Sequence, residues 1–318
     1  MLRNVALLCL FASSLVFVHC SDDPAAKTGE NTDPDTGTSE DDADVAKEDS
    51  STTEDAGTDA PTTVDQTEVE PNNGAATDAG LQVNALTTPG AIKGAIDPKD
   101  DTDIFSVVPK AGEFWQWTLV PGADLAPSLT VFDTKKGNLN PTVTVHAADK
   151  GTPLAIDQFV LSAGNFVAAV RDIRNVAPTN AHLGGPTFTY RLEAKLATLA
   201  PQTVVIPKTV TGKLSRVAEI ATFKLSGIQG QKFEIIVNAA RLAVPSKLDS
   251  RLSLFNLTTN TNVITNDDAA KTTDSEITGG FPSTGDYLVI LENEAQGEQA
   301  VGATVPDLSY EIKFTTSK

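Results

Sequence analysis

Cysteine is nearly missing from this chain of 318 residues, with Cys9 and Cys20 its only two. Cys9 lies inside the apolar run from Val5 to Val18, which follows Arg3. That pattern is a secretory signal peptide and is too short for a spanning helix. Cleavage before Cys20 leaves one thiol, at the first residue of the mature chain, and so excludes an internal disulfide. Histidine is also scarce, with three residues, and the lack of Cys and of nearby His argues against zinc or copper. No Gly-x-Ser-x-Gly and no His-Glu-x-x-His occurs, so the usual signatures of a nucleophilic or zinc-hydrolytic site are missing. Basic charge is thin as well: the formal net charge is −18. Residues 21–70 carry seventeen Asp and Glu against two Lys, whereas residues 71–318 hold 25 acids against 21 bases. The charge therefore sits in a tail, and the remainder, nearly neutral and without a basic patch, offers no footprint for nucleic acid or an anionic membrane surface.

The tail also lacks large apolar residues, since no Leu, Ile, Phe, Trp or Tyr occurs between Ser21 and Asp65. Such a segment cannot bury enough surface to offset its ordering entropy and is expected to be disordered. About fifty residues of this kind span roughly 40 Å, more with carboxylate repulsion, which suits a stalk. Phe17-Val18-His19-Cys20 resembles the lipobox of bacterial lipoproteins, in which the cysteine after the apolar run is acylated. His19 departs from the small residue usual before that cysteine. The resemblance implies a lipid on Cys20 that anchors the chain in a membrane, and Ser21, in place of Asp, implies sorting to the outer membrane.

Past Asn73 the pattern changes to short runs rich in Val, Ile, Leu, Thr and Phe, separated by Gly, Pro, Asn and Asp. Strands are expected at 92–96, 104–108, 114–120, 129–132, 142–147, 166–170 and 188–192, then at 209–214, 221–225, 232–238, 252–257, 287–291 and 310–315. The two halves match. Pro127–Asp133 parallels Ser250–Asn256 at an offset of 123, and Ala163–Val170 parallels Thr284–Leu291 at 121. Phe105 with Phe223, Gly112 with Gly230 and Tyr190 with Tyr310 are offset by 118, 118 and 120. A repeat of this length is a domain. The expected organisation is a signal peptide at 1–19, a disordered acidic tether at 20–66, and two tandem jelly-roll-like β-sandwich domains at 67–198 and 199–318, an all-β fold.

Glu70-Pro71-Asn72-Asn73, Gly94-Ala95-Ile96, Asp100-Asp101-Thr102-Asp103-Ile104-Phe105 and Gly164-Asn165-Phe166-Val167 resemble the bacterial pre-peptidase C-terminal domain. That β-sandwich family is similar to the collagen-binding domain of clostridial collagenases. The resemblance spans about 68–314 and is weaker in the second half, which has no Glu-Pro-Asn-Asn. It implies a calcium ion held by Glu68, Glu70, Asn72, Asn73, Asp100 and Asp103, with no such site in the second repeat. Oxygen donors of this kind suit Ca²⁺, although the same residues also favour plain turns.

Trp115 and Trp117 alternate along one strand and could form a binding platform. Their repeat partners are Phe233 and Ile235, which makes core the expected role. His146 is out of phase with Val143 and Val145 and is expected at the surface, and His182 falls in a loop. Asn266, Asp267, Asp268 and Asp274 are expected to form a hairpin loop rather than a second acidic site. Together these features predict a lipid-anchored envelope protein that acts by binding an extracellular protein or polysaccharide, without enzymatic activity. The alternative is a structural scaffold that binds only protein partners.

Overall fold

The computed structural model describes residues 65–70, 72, 84–86, 90–133, 141–269, 272–294, 297–298 and 305–316. The signal peptide, Cys20, nearly all of the tether and Asn73 lie outside them. Among the described residues there is no α-helix, and no helix is long and apolar enough to cross a membrane.

The first half contributes β1 (Asp65–Thr67), β2 (Asn84–Ala85), β3 (Gly90–Ala95), β4 (Thr102–Val107), β5 (Phe114–Pro121), β6 (Pro127–Asp133), β7 (Pro141–His146), β8 (Leu154–Phe159), β9 (Phe166–Asp172) and β10 (Thr189–Ala197). The second contributes β11 (Gln202–Thr203), β12 (Lys208–Lys213), β13 (Ala221–Gly227), β14 (Lys232–Asn238), β15 (Ser250–Asn256), β16 (Thr261–Asn266), β17 (Glu276–Gly280), β18 (Gly285–Asn293), β19 (Gly297–Glu298) and β20 (Ser309–Thr315). The sheet orders are β1-β3-β10-β5-β8 and β2-β4-β9-β6-β7-β19 in the first sandwich, and β12-β20-β14-β17 and β11-β13-β18-β15-β16 in the second. Without β1 and β19, the two sandwiches match strand for strand. Strand β1 begins at Asp65, two residues ahead of the boundary expected from sequence.

Alternation explains why these segments are strands. On β5, Trp115, Trp117 and Leu119 are buried, while Gln116 and Thr118 on the other face are partly exposed. With side chains alternating between faces, each strand gives one row to the core. Phe105, Trp117, Leu119, Val131, Val145 and Leu192 join the two sheets of the first sandwich in one cluster. Phe223, Phe233, Ile235, Leu254, Tyr287 and Phe314 do so in the second. The tryptophans are core: they are 4% and 1% exposed, and the indole N–H of Trp117 donates to Gln158 Oε1 at 3.1 Å.

A third cluster joins the sandwiches. Phe114 and Phe159 of the first meet Phe255, Leu288 and Ile290 of the second, and the rings of Phe159 and Phe255 lie edge to face at 5.0 Å. Beside it, the segment Ser215–Ile220 docks on β8, with the Asp157 N–H donating to the Ala218 carbonyl at 2.9 Å. Arg216 pairs with the Asp157 carboxylate at 2.5 Å. Val217 and Ala218 enter the core of the first sandwich, and β19 runs parallel to β7 as an added edge strand. A free β8 edge would present unpaired backbone groups, so this docking also protects it.

Phe255→Ala should cost about 3–5 kcal/mol in denaturant unfolding, the usual cost of emptying a buried Phe site. A loss under about 1 kcal/mol would show that the third cluster contributes little to stability.

Candidate metal centre

The site forms where the segment after β1 crosses the first sandwich. Strand β1 pairs in parallel with β3, placing Thr67 beside Lys93, and Glu68 N–H continues the ladder to the Lys93 carbonyl at 3.0 Å. The next residue is held by Asn84, whose Oδ1 accepts from Val69 N–H at 3.0 Å. This course lays the Glu68 carboxylate over Gly94, where its Oε1 accepts from Ala95 N–H at 2.5 Å. Glycine leaves room for this contact, because a Cβ at position 94 would overlap both the Glu68 carboxylate and the Tyr190 hydroxyl and displace them.

Asp103 comes from the other sheet. On β4 it is in phase with Phe105 and Val107, so it points into the sandwich and is fully buried. Tyr190, opposite Gly94 in the β3–β10 register, contacts both acids: its hydroxyl lies 2.8 Å from Glu68 Oε2 and 2.5 Å from Asp103 Oδ2. Glu70 completes the group, and the carboxylates of Glu68, Glu70 and Asp103 lie within 4.8 Å of one another. Asn72 is 1% exposed, and its N–H donates to Glu70 Oε2 at 2.9 Å. Neither amide atom of its side chain makes a hydrogen bond of good geometry, and neither does Asp103 Oδ1. The Asn72 amide is still near enough to Glu68 to favour its ionised form.

The electrostatics follow from this crowding. Burial, then the charges of Glu68, Asp101 and Glu70, push the Asp103 carboxyl up to about 9, against the opposing effect of the Tyr190 hydrogen bond. Burial also raises Glu68, opposed by the Ala95 N–H, Tyr190 and Asn72. Tyr190 is held well above the usual phenol range by burial and by the two acids. Its hydroxyl has one proton and two carboxyl neighbours, so one of the two contacts needs a proton on the carboxyl. Asp103 is the acid that keeps it. Two unit charges 4 Å apart repel by about 4 kcal/mol at an effective dielectric near 20, so a full set of ionised carboxylates here needs a compensating cation. The oxygen-only donor set and the buried oxygens of Asp103 and Asn72 that lack a partner fit a hard divalent ion.

Of the residues expected to meet, Glu68, Glu70, Asn72 and Asp103 do so, and Asn73 lies outside the described residues. Asp100 does not join them. It takes a left-handed conformation, φ 65°, and its Oδ2 lies 2.6 Å from His182 Nδ1 in an exposed pair. Asp101 is a turn-closing acid that accepts from Asp97 N–H at 3.1 Å and Thr102 N–H at 2.7 Å. Glu219 does the same in the second repeat, accepting from the N–H and hydroxyl of Ser215. The second repeat keeps the glycine under the tyrosine, Gly212 under Tyr310, but Ala221 stands where the first has Asp103.

Asp274, expected in a loop, lies outside the strands and is fully buried. Its Oδ1 accepts from the N–H groups of Ala239 and Ala240, and its Oδ2 from the N–H and Nε of Arg241. Asp267 and Asp268 are exposed, and His146 is half-buried. Tyr190 was not evident as a site residue from sequence, where it stood out only as the repeat partner of Tyr310.

No protein-family model and no curated protein matches the chain. Solved structures similar to it include the pre-peptidase C-terminal domain of a collagenase from Bacillus anthracis, at 12% identity and a TM-score of 0.29, covering 37% of this chain and 98% of that one. The CUB1-EGF-CUB2 region of human MASP-1/3 is 7% identical with a TM-score of 0.21, covering 72% and 99%. The PBSX exported protein XepA is 12% identical with a TM-score of 0.24, covering 77% and 93%. Scores this low support no inference about activity or ancestry.

In chelator, stability should fall as pH rises. The folded Asp103 carboxyl is raised to about 9 from an unfolded value of about 3.9, so its contribution is complete below the unfolded value and is lost through the folded one. Melting temperatures in chelator should therefore decline from about pH 5 to pH 9, and Asp103→Asn, which keeps the neutral form, should flatten that decline. A wild-type profile as flat as the variant's would contradict the assignment.

Proposed function

We propose that this chain is a lipid-anchored protein of the bacterial cell envelope whose paired sandwiches act by binding rather than by catalysis, and that the first sandwich is of the pre-peptidase C-terminal kind and holds calcium. One observation carries the reading: Glu68, Glu70 and Asp103 converge within 4.8 Å beside the buried Asn72, at the point where the chain from the acidic segment joins the sandwich. Glu68, Glu70, Asn72 and Asp103 would hold the ion. Bound calcium supplies the positive charge that lets all the carboxylates ionise together. The protein's own part is to fix the geometry: Ala95 N–H and Tyr190 orient Glu68, Gly94 leaves room for it, and Asn84 anchors Val69.

A cation there fastens residues 65–72 to the sandwich and so fastens the end of the tether. Extracellular calcium modules work at about 10⁻⁴–10⁻³ M, which suits a site exposed outside the inner membrane. The signal-like segment and the lipobox-like Phe17-Val18-His19-Cys20 support the envelope location. The single cysteine left after cleavage supports Cys20 as the acylated residue, and lipid chains there would add about 0.8 kcal/mol of membrane affinity per buried methylene. The partly exposed outer faces of two sandwiches supply the surface for an extracellular protein or polysaccharide.

The full chain should melt several degrees higher in excess Ca²⁺ than in chelator, since a ligand at a hundredfold excess over Kd adds about 2.7 kcal/mol. Asp103→Ala should abolish the shift, and equal melting points in wild type would remove calcium from the account. In the same preparation, Cys20→Ala should move the protein from the membrane to the soluble fraction. Binding to collagen, chitin and peptidoglycan separates the readings: failure to bind any of them would favour the scaffold alternative.

A further inference from the structure

An open polar cleft of about 220 Å³ lies on the outer face of the first sandwich. Strand register sets its floor in two rows. Lys195, Gln116 and Asp157 lie side by side on β10, β5 and β8, and Glu193, Thr118 and Ala155 form the next row. The small side chain of Ala155 leaves the second row open. The second sandwich supplies the wall through Arg216, whose Nη2 lies on the Asp157 carboxylate at 2.5 Å. The cleft is therefore complete only when both sandwiches are present.

Its acceptors are engaged and several of its donors are not. Asp157 accepts from Gln116 Nε2 at 3.2 Å as well as from Arg216, and Glu193 accepts from Arg191 at 2.7 Å. Lys195 and the Thr118 hydroxyl have no hydrogen-bond or ion-pair partner among the described residues. Arg216 Nε is buried and also lacks one. The buried Nε is closed to a ligand as it is to water, whereas Lys195 is exposed and Thr118 partly exposed, so these two donors are the ones open to the acceptor atoms of an incoming ligand. Arg216 is already neutralised by Asp157, so Lys195 holds the uncompensated positive charge. Neighbouring strands are about 4.8 Å apart, which puts Lys195 and Asp157 about 10 Å from each other, the reach of a single substituted sugar ring. Asp157 and Glu193 would repel a doubly charged phosphate, but each keeps lone pairs that can accept from hydroxyls.

We infer that this cleft binds a small hydroxylated carboxylate of the uronic-acid type, with the carboxylate on Lys195 and the hydroxyls toward Thr118 and Gln116. The inference rests on the reading of the pair as a binding unit and gives that unit a ligand class.

The test is calorimetric titration of the full chain in excess Ca²⁺ with D-glucuronate, D-glucose and N-acetylglutamate. Glucuronate should bind saturably, and glucose at least about tenfold more weakly, because the charge-assisted contact is lost. Lys195→Ala should lower glucuronate affinity by about tenfold or more, Lys195→Arg should retain most of it, and Thr118→Val should weaken it severalfold. The assignment is overturned if glucuronate does not bind, if glucose binds equally well, or if Lys195→Ala binds like wild type. Tighter binding of N-acetylglutamate would overturn the sugar part. A retained calcium-dependent melting shift without glucuronate binding would discard the cleft and leave the calcium-holding binding unit in place, whereas loss of both would discard the two together.

Discussion

The seam between the N-terminal segment and the first sandwich depends on one crowded contact, in which Glu68 and Asp103 share the hydroxyl of Tyr190 above Gly94. Each partner arrives from a different element: Glu68 from the segment after β1, Asp103 from β4 in the facing sheet and Tyr190 from β10. The contact therefore ties the incoming chain to both layers at once. Three acids at such close quarters cannot all ionise without a counter-charge. A proton on Asp103 is one solution; the proposed divalent cation would be the other, and the two would compete for the same oxygens.

The two sandwiches share a strand order but use one turn differently. In each repeat a turn precedes the inward strand β4 or β13 and is closed by an acid four residues on, Asp101 reaching back to Asp97 and Glu219 to Ser215. In the first repeat that turn leads into Asp103 and the acidic seam. In the second it carries Arg216, Val217 and Ala218, which clamp the neighbouring sandwich through Asp157 and its core. Ala221 replaces the buried acid, so no charge there needs an ion. One turn thus positions an acidic site and its counterpart joins the two sandwiches.

Most of the fold was legible in the sequence because alternation survives wherever one face is core. Trp115 and Trp117 were placed correctly by comparison with Phe233 and Ile235, since a face that is apolar in both copies is buried in both. Strand β8 was missed although Leu154, Ile156 and Gln158 alternate; β16 was missed because it is largely exposed and polar, and β17 because it ends in two glycines and buries only Ile277. In the acidic run, phase would have picked out Asp103, which shares the inward face of β4 with Phe105, whereas Asp100 and Asp101 both precede the strand, Asp100 turning toward His182 and Asp101 closing the turn. Tyr190 could not have been found this way, because its role depends on pairing with Gly94 across ninety-six residues of sequence. The clamp through Arg216 was hidden for a similar reason, since it lies in contacts between repeats and leaves no pattern within either one.

The most direct test of the competition at Asp103 is a calcium titration near pH 7 in two buffers of different ionisation enthalpy, which counts the protons released on binding. The account predicts saturable binding with release of close to one proton in wild type and none in Asp103→Asn, because the carboxyl that gives up its proton is the one that receives the ion. Binding without proton release, or the same release from the variant, would show that Asp103 is not where proton and cation compete. Absence of binding would show that the acidic seam is held by its proton alone.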